Sequence, residues 1–139
     1  MARVFWDTNL FIYLLEENPV FSDQVAQLRA RMIRRGDRLY TSTLTVGEIL
    51  AKPPAGDKTS QRYLDFFRHP AITVTPFDLD AAALYGDLRR DRSITPPDAI
   101  QLACAAAAGT TLFITNDARL SRRVVPGIDF IVSLARVPI

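Results

Sequence analysis

The 139-residue chain is short of the side chains on which much enzyme chemistry depends. It has one histidine, His69, one cysteine, Cys104, and two lysines, Lys52 and Lys58. A single cysteine rules out an intrachain disulfide and a cysteine metal cluster, and the alanine-rich setting of Cys104 favours plain burial. A single histidine excludes any mechanism built on two imidazoles, and His69, just before Pro70, reads as bystander surface. There is no glycine-rich phosphate loop. No apolar run approaches the roughly 18–20 residues that cross a bilayer, and Asp7 falls too early for the apolar core of a signal peptide. Together these absences give the expectation of a reducing, cytoplasmic setting with no membrane partner.

What is present is ordinary in amount and unusual in kind. Hydrophobic residues make up 48% and charged residues 23%, which suits a globular chain rather than a disordered one, and the length suits one domain over residues 1–139. The net charge is only +2, yet apart from the two lysines every cation is arginine. Arginine offers a planar fork that grips phosphate or carboxylate at two points. Arg29, Arg31, Arg34, Arg35 and Arg38 form one group, Arg89, Arg90 and Arg92 a second, and Arg119, Arg122 and Arg123 a third. If some of the acids gather in one pocket and bind metal, the remaining surface is more basic than the net charge suggests, which favours a polyanionic partner.

The stretch Ile94 to Gly109 reads as a helix with both ends marked. Thr95 can cap it, Pro96 and Pro97 pre-set its first turn, and Gly109 suits the left-handed position past its end. It is apolar almost all round and should be buried on more than one side; Asp98 is the exception. Around this helix the chain alternates. Strands are expected at Arg3 to Trp6, Arg38 to Ser42, Ile72 to Thr75, Thr111 to Thr115 and Phe130 to Val132. Helices are expected at Leu10 to Leu15 capped by Thr8 or Asn9, from Ser22 to a stop at Gly36, and from Thr43 or Thr45 to Ala51. Others are expected at Ser60 to Phe67, at Leu79 to Arg90 capped by Asp78, and briefly at Ala118 to Val124. Ala55 to Thr59 has the composition of a loop.

Strands alternating with helices imply a parallel sheet covered on both faces. Ligands of such sheets bind at the carboxyl ends of strands, near the switch in strand order. Asp7 and Asp117 end strands, and Glu48 and Asp98 sit near the starts of helices, so all four acids can converge on one edge. Two carboxylates about 4 Å apart repel by roughly 4 kcal/mol at an effective dielectric of 20. Four together must hold protons or bind a cation. Oxygen ligands without His or Cys select Mg²⁺ or Mn²⁺ over Zn²⁺. The chemistry that follows is metal-activated water attacking a phosphodiester.

Four segments carry a family resemblance. They are the opening strand into Asp7-Thr8-Asn9, then Thr43 to Ile49 containing Glu48, then Pro97-Asp98-Ala99-Ile100-Gln101-Leu102-Ala103, and last Phe113-Ile114-Thr115-Asn116-Asp117. In this order and at this length the chain resembles the PIN-domain ribonucleases, most closely the VapC toxins of type II toxin–antitoxin modules. The resemblance implies an α/β/α sandwich around a central parallel sheet and an endoribonuclease that uses Mg²⁺, with Mn²⁺ able to substitute. It implies Asp7, Glu48, Asp98 and Asp117 as the catalytic acids, with Asp7, Asp98 and Asp117 as metal ligands and Glu48 positioning the metal or the attacking water. Thr8, Asn9, Thr115 and Asn116 are then hydrogen-bonding supports.

It further implies an RNA substrate, a homodimer and a small antitoxin. A basic side chain of that antitoxin would pair with the acids while its apolar side chains rest near Phe11, Leu14 and Leu15. Tyr63, Leu64, Phe66 and Phe67 spread widely round a short helix, which fits an apolar surface for a dimer to cover. The alternatives are a PIN ribonuclease of RNA processing without an antitoxin, and a catalytically silent module that binds RNA or protein. A haloacid-dehalogenase-type phosphatase would carry a second Asp where Asn9 stands. A response-receiver module would need a late lysine, and none follows Lys58.

Overall fold

The computed structural model describes residues 1–139. Its first strand, β1 (Arg3–Trp6), alternates its side chains across the sheet: Val4 and Trp6 join one apolar core and Phe5 the other. The chain continues through α1 (Thr8–Leu15), α2 (Ser22–Arg35), β2 (Arg38–Ser42), α3 (Thr43–Leu50), α4 (Lys58–Phe67) and β3 (Ile72–Thr75). It ends with α5 (Leu79–Leu88), α6 (Pro96–Ala107), β4 (Leu112–Thr115), β5 (Phe130–Ser133) and a 3₁₀ turn, Leu134–Arg136.

All five strands are parallel, in the order β3-β2-β1-β4-β5. The chain runs outward from β1 through β2 to β3, then returns to lay β4 against the other side of β1. The switch in strand order therefore lies between β1 and β4, where Trp6 is opposite Ile114. Helices α5 and α6 cover one face, over Phe5, Tyr40 and Phe113. The first four helices lie towards the other, where Trp6, Phe11, Leu28, Met32, Leu39 and Ile114 meet. This is the α/β/α arrangement with a central parallel sheet. Phe5 and Phe113 stack at 5.0 Å across the β1–β4 pair. Fully burying side chains of this size contributes about 2–3 kcal/mol each, which anchors the two strands whose ends form the switch.

Helix boundaries follow local chemistry. Gly36 and Gly109 end α2 and α6 with φ of 75° and 65°, a left-handed backbone that glycine adopts without strain. Asp78 caps α5 by accepting from the Ala81 N–H. At α6, Pro96 and Pro97 remove two of the amides that an N-terminus leaves unpaired, and Thr95 makes no side-chain cap. The cap of α1 is Asp7 itself rather than Thr8 or Asn9, Ser42 caps α3, and Asp57 starts α4 at Lys58, earlier than expected.

Two expectations are corrected. Ala118 to Val124 is a chain of turns, not a helix. There the Asp117 side chain accepts the Arg119 N–H and its carbonyl accepts those of Leu120 and Ser121, a local alternative to helical pairing. Nor do the aromatic residues of α4 form a surplus apolar surface. Phe67 is buried, and Phe66 and Tyr63 pack inward, with both phenylalanines edge-on to Phe11.

Candidate active site

Asp7 leaves β1 at its carboxyl end and caps α1 in the same step, so the strand and the helix together fix its carboxylate. The group is buried. Oδ1 accepts from the Thr8 N–H at 2.8 Å and from Gln101 Nε2 at 3.3 Å, and Oδ2 accepts from the Thr115 hydroxyl at 2.7 Å. Burial pushes the carboxyl above the ordinary value of 3.8; the hydrogen bonds from Thr115, Thr8 and Gln101 pull it back, and the charge of Asp98 raises it again. A desolvated carboxylate facing a second acid is stabilised by a cation.

The other three acids reach this centre by different routes. Glu48, exposed on α3, accepts from the Thr8 hydroxyl at 2.8 Å, so it is one residue removed from Asp7. Asp117 follows β4; its N–H donates to the Thr115 hydroxyl at 3.1 Å, the same hydroxyl that donates to Asp7. Asp98, half-buried in the first turn of α6, acts on Asp7 through its charge. The four predicted acids thus come to one edge of the sheet, at the switch between β1 and β4. No three of them stand close enough together to hold one ion.

The spacing has a visible cause. Arg119 grips Asp117 at two points, holds its carboxyl below the usual range, and also feels the charge of Asp98. The donor set suits a hard divalent cation, which binds through one or two carboxylates and completes its shell with water or phosphate oxygens. Asp7 facing Asp98 meets that requirement. Ligation by Asp117 requires Arg119 to release it.

Gln101 is the functional residue that sequence reasoning passed over. It is buried, one helical turn beyond Asp98, and its amide nitrogen reaches Asp7, Thr8 at 3.1 Å and Thr45 at 2.7 Å. Its carbonyl accepts from the Ser42 hydroxyl. One side chain thereby ties the ends of β1 and β2 and the starts of α1 and α3 to α6. The signal was present: a polar amide in a helix otherwise buried and apolar needs internal partners. Of the expected supports, Thr8 and Thr115 touch acids directly. Asn9 and Asn116 bond each other, and Asn116 also donates to the Tyr13 hydroxyl at 3.1 Å. Cys104 takes no part; burial first, then the Asp78 charge, pushes its thiol up to about 11 despite a hydrogen bond with Thr75.

Fold and site define a class: a parallel α/β domain whose acidic centre lies at the switch point between two central strands. More particularly, the PIN domain family model matches residues 4–125, and the chain belongs to that family. Among solved structures, the chain is similar to VapBC2 from Rickettsia felis, bound to a DNA fragment from its promoter, at 18% identity and a TM-score of 0.71, covering 94% of this chain and 97% of that one. A DNA-bound VapBC from Salmonella typhimurium matches at 23% identity and a TM-score of 0.69, over 96% and 99%. VapC20 from Mycobacterium tuberculosis, a toxin described as cleaving the sarcin–ricin loop, matches at 16% identity and a TM-score of 0.68, over 87% and 96%. At these identities the likeness concerns the fold alone. No curated protein sequence matches significantly.

Proposed function

We propose that this protein is an endoribonuclease dependent on Mg²⁺, with Mn²⁺ able to substitute, and that it acts in the cytoplasm as the toxin of a toxin–antitoxin pair. The observation that carries the reading is the buried Asp7 carboxylate, which three donors hold opposite Asp98 while Glu48 and Asp117 join it through Thr8 and Thr115. Asp7 and Asp98 would hold the cation, and Asp117 would join them on leaving Arg119. A divalent cation at this position supplies a hydroxide nucleophile near neutral pH and offsets charge on the scissile phosphate.

The chain's own residues do the orienting. Thr115, Gln101 and the Thr8 N–H fix the Asp7 lone pairs before any ion arrives, so no reorganisation is needed at that moment. Glu48, held by Thr8 yet exposed, positions the attacking water. The exposed Arg34, Arg35 and Arg38 offer forks for RNA phosphates away from the acids.

A small antitoxin completes the reading, with a basic side chain entering the acidic centre. The VapBC neighbours, whose descriptions are of such complexes, support it. A homodimer is part of the same proposal. The test is RNA cleavage by purified protein with Mg²⁺ or Mn²⁺, blocked by EDTA. Asp7→Asn and Asp98→Asn should each abolish it with the fold intact, and full activity in either variant overturns the assignment.

A further inference from the structure

Away from the acids, on the helical face that covers Trp6, a cavity of about 340 Å³ opens between α2, α4 and the β2–β3 side of the sheet. Leu14, Ile33, Leu39, Phe66 and Ile72 make its walls apolar. Its polar groups are almost all donors. Trp6 is fully buried and its Nε1 has no hydrogen-bond partner; Arg29 has a buried guanidinium nitrogen, Nη1, that is also unpartnered. His69 accepts the Ala71 N–H at Nδ1, which leaves Nε2 as its protonated nitrogen. The one acid in the wall, Asp65, already accepts from Gln61 at 2.8 Å and lies 3.8 Å from Arg68. Buried donors without acceptors are costly. A ligand that brings an acceptor on an apolar stem removes that cost.

The cavity is the middle of a trench. One neighbouring hollow shares Leu14 with it and carries Glu17 and Asp23; the other shares Arg29, Ile33 and Ala71 and carries Arg38. Asp37, in the second hollow, is taken up by the Ala2 N–H and Arg35. The trench is therefore acidic at one end, apolar in the middle and basic at the other, and it is too long for a compact small molecule. Ile33, exposed at 63%, stands on its rim.

We propose that this trench docks an amphipathic peptide segment of a partner protein, seating one acidic side chain against Trp6 and Arg29 and apolar side chains around it. On the reading above that partner is the antitoxin, an identity that rests on that reading; the binding chemistry does not. The antitoxin would then carry two opposite signatures: a basic side chain for the acidic centre and an acidic one for this cavity.

Trp6 is the only tryptophan, so one indole N–H resonance reports directly on the site. The probe is acetyl-Lys-Leu-Ala-Leu-Glu-Ala-Leu-Lys-amide, titrated into the full-length protein beside the same peptide with Gln in place of Glu. The Glu peptide should shift the indole resonance and bind about fivefold tighter, as a charge-assisted bond outweighs a neutral one. Arg29→Met should erase the difference. Ile33→Glu, at an exposed position that does not endanger folding, should weaken the Glu peptide selectively by like-charge repulsion. Equal affinity of the two peptides would mean that water satisfies the donors, and would overturn the proposal. So would an indole resonance that neither peptide moves, or one that moves with protein concentration alone, which would make a second copy the occupant. Cleavage is not measured, so failure here is distinct from failure of the nuclease reading.

Discussion

Arg119 closes on Asp117 with both arms of its fork, Nε at 3.2 Å from Oδ1 and Nη2 at 2.9 Å from Oδ2. The pairing places a fixed cation of the chain's own where an acidic edge would otherwise recruit one from solution. Arg119 is largely exposed, so the pair is screened and modest in strength.

Arg119→Gln should therefore bind Mn²⁺ more tightly, by roughly two- to fivefold at low ionic strength, because Asp117 becomes free to ligate. Calorimetric titration of the purified protein with Mn²⁺ measures this without reference to cleavage. An unchanged affinity would mean that Arg119 and the ion do not compete.

Asp7 gives a pH signature. Its folded carboxyl lies above 3.8, the ordinary value, so its contribution to stability is present below 3.8 and is lost as pH rises through the raised value. Asp7→Asn removes the buried charge and keeps an acceptor for Thr8 and Gln101. At pH 7 without metal the variant should melt a few degrees higher than the parent, and the gap should close on acidification. Melting curves from pH 3 to pH 8 decide it; a variant less stable at neutral pH contradicts the sign.

Gln101 is a positioning residue, and its loss should separate two effects. Gln101→Leu leaves Ser42 and Thr45 without their partner and should cost about 1–3 kcal/mol in urea unfolding. It should also lower kcat with little change in KM for RNA, since Asp7 is misaligned rather than removed. Gln101→Glu keeps an acceptor for Ser42 but sets a further acid beside Asp7, so it should be worse at neutral pH than at acid pH. A purely structural role would lower stability and leave kcat per folded molecule unchanged.

The homodimer has a direct test. Light scattering at micromolar concentration and moderate salt should give twice 15.5 kDa. A monomer mass rejects the dimer and leaves the nuclease reading standing.

The strands and the acids were legible in the sequence because each carries its own signal: a short apolar run that ends in Asp, or an acid at a helix start. Asp7 and Asp117 could be placed at strand ends for that reason. Legibility failed where a polar side chain chose between local and distant partners. Asp7 caps α1 although Thr8 and Asn9 are equally good caps by type, because the bend out of β1 brings its carboxylate onto the Thr8 N–H. The segment after Asp117 has helical composition, but Arg119 turns back to Asp117 and Arg123 reaches Asp91 and Ser93. Val125 precedes Pro126, which favours extended backbone there. On α4, periodicity counted apolar residues without knowing that Phe11 would receive two of them.

The central place of β4 bears on when the site comes into being during synthesis. β1 is made first but gains its second neighbour only when β4, more than a hundred residues later, pairs with it. Asp7 waits for the Thr115 hydroxyl and for Gln101, both from the last third of the chain. A nascent polypeptide that stops short of Thr115 has Asp7 and Glu48 but no assembled centre. A ribosome making this protein thus faces a harmless chain until translation is nearly finished, and truncated products are inert by construction.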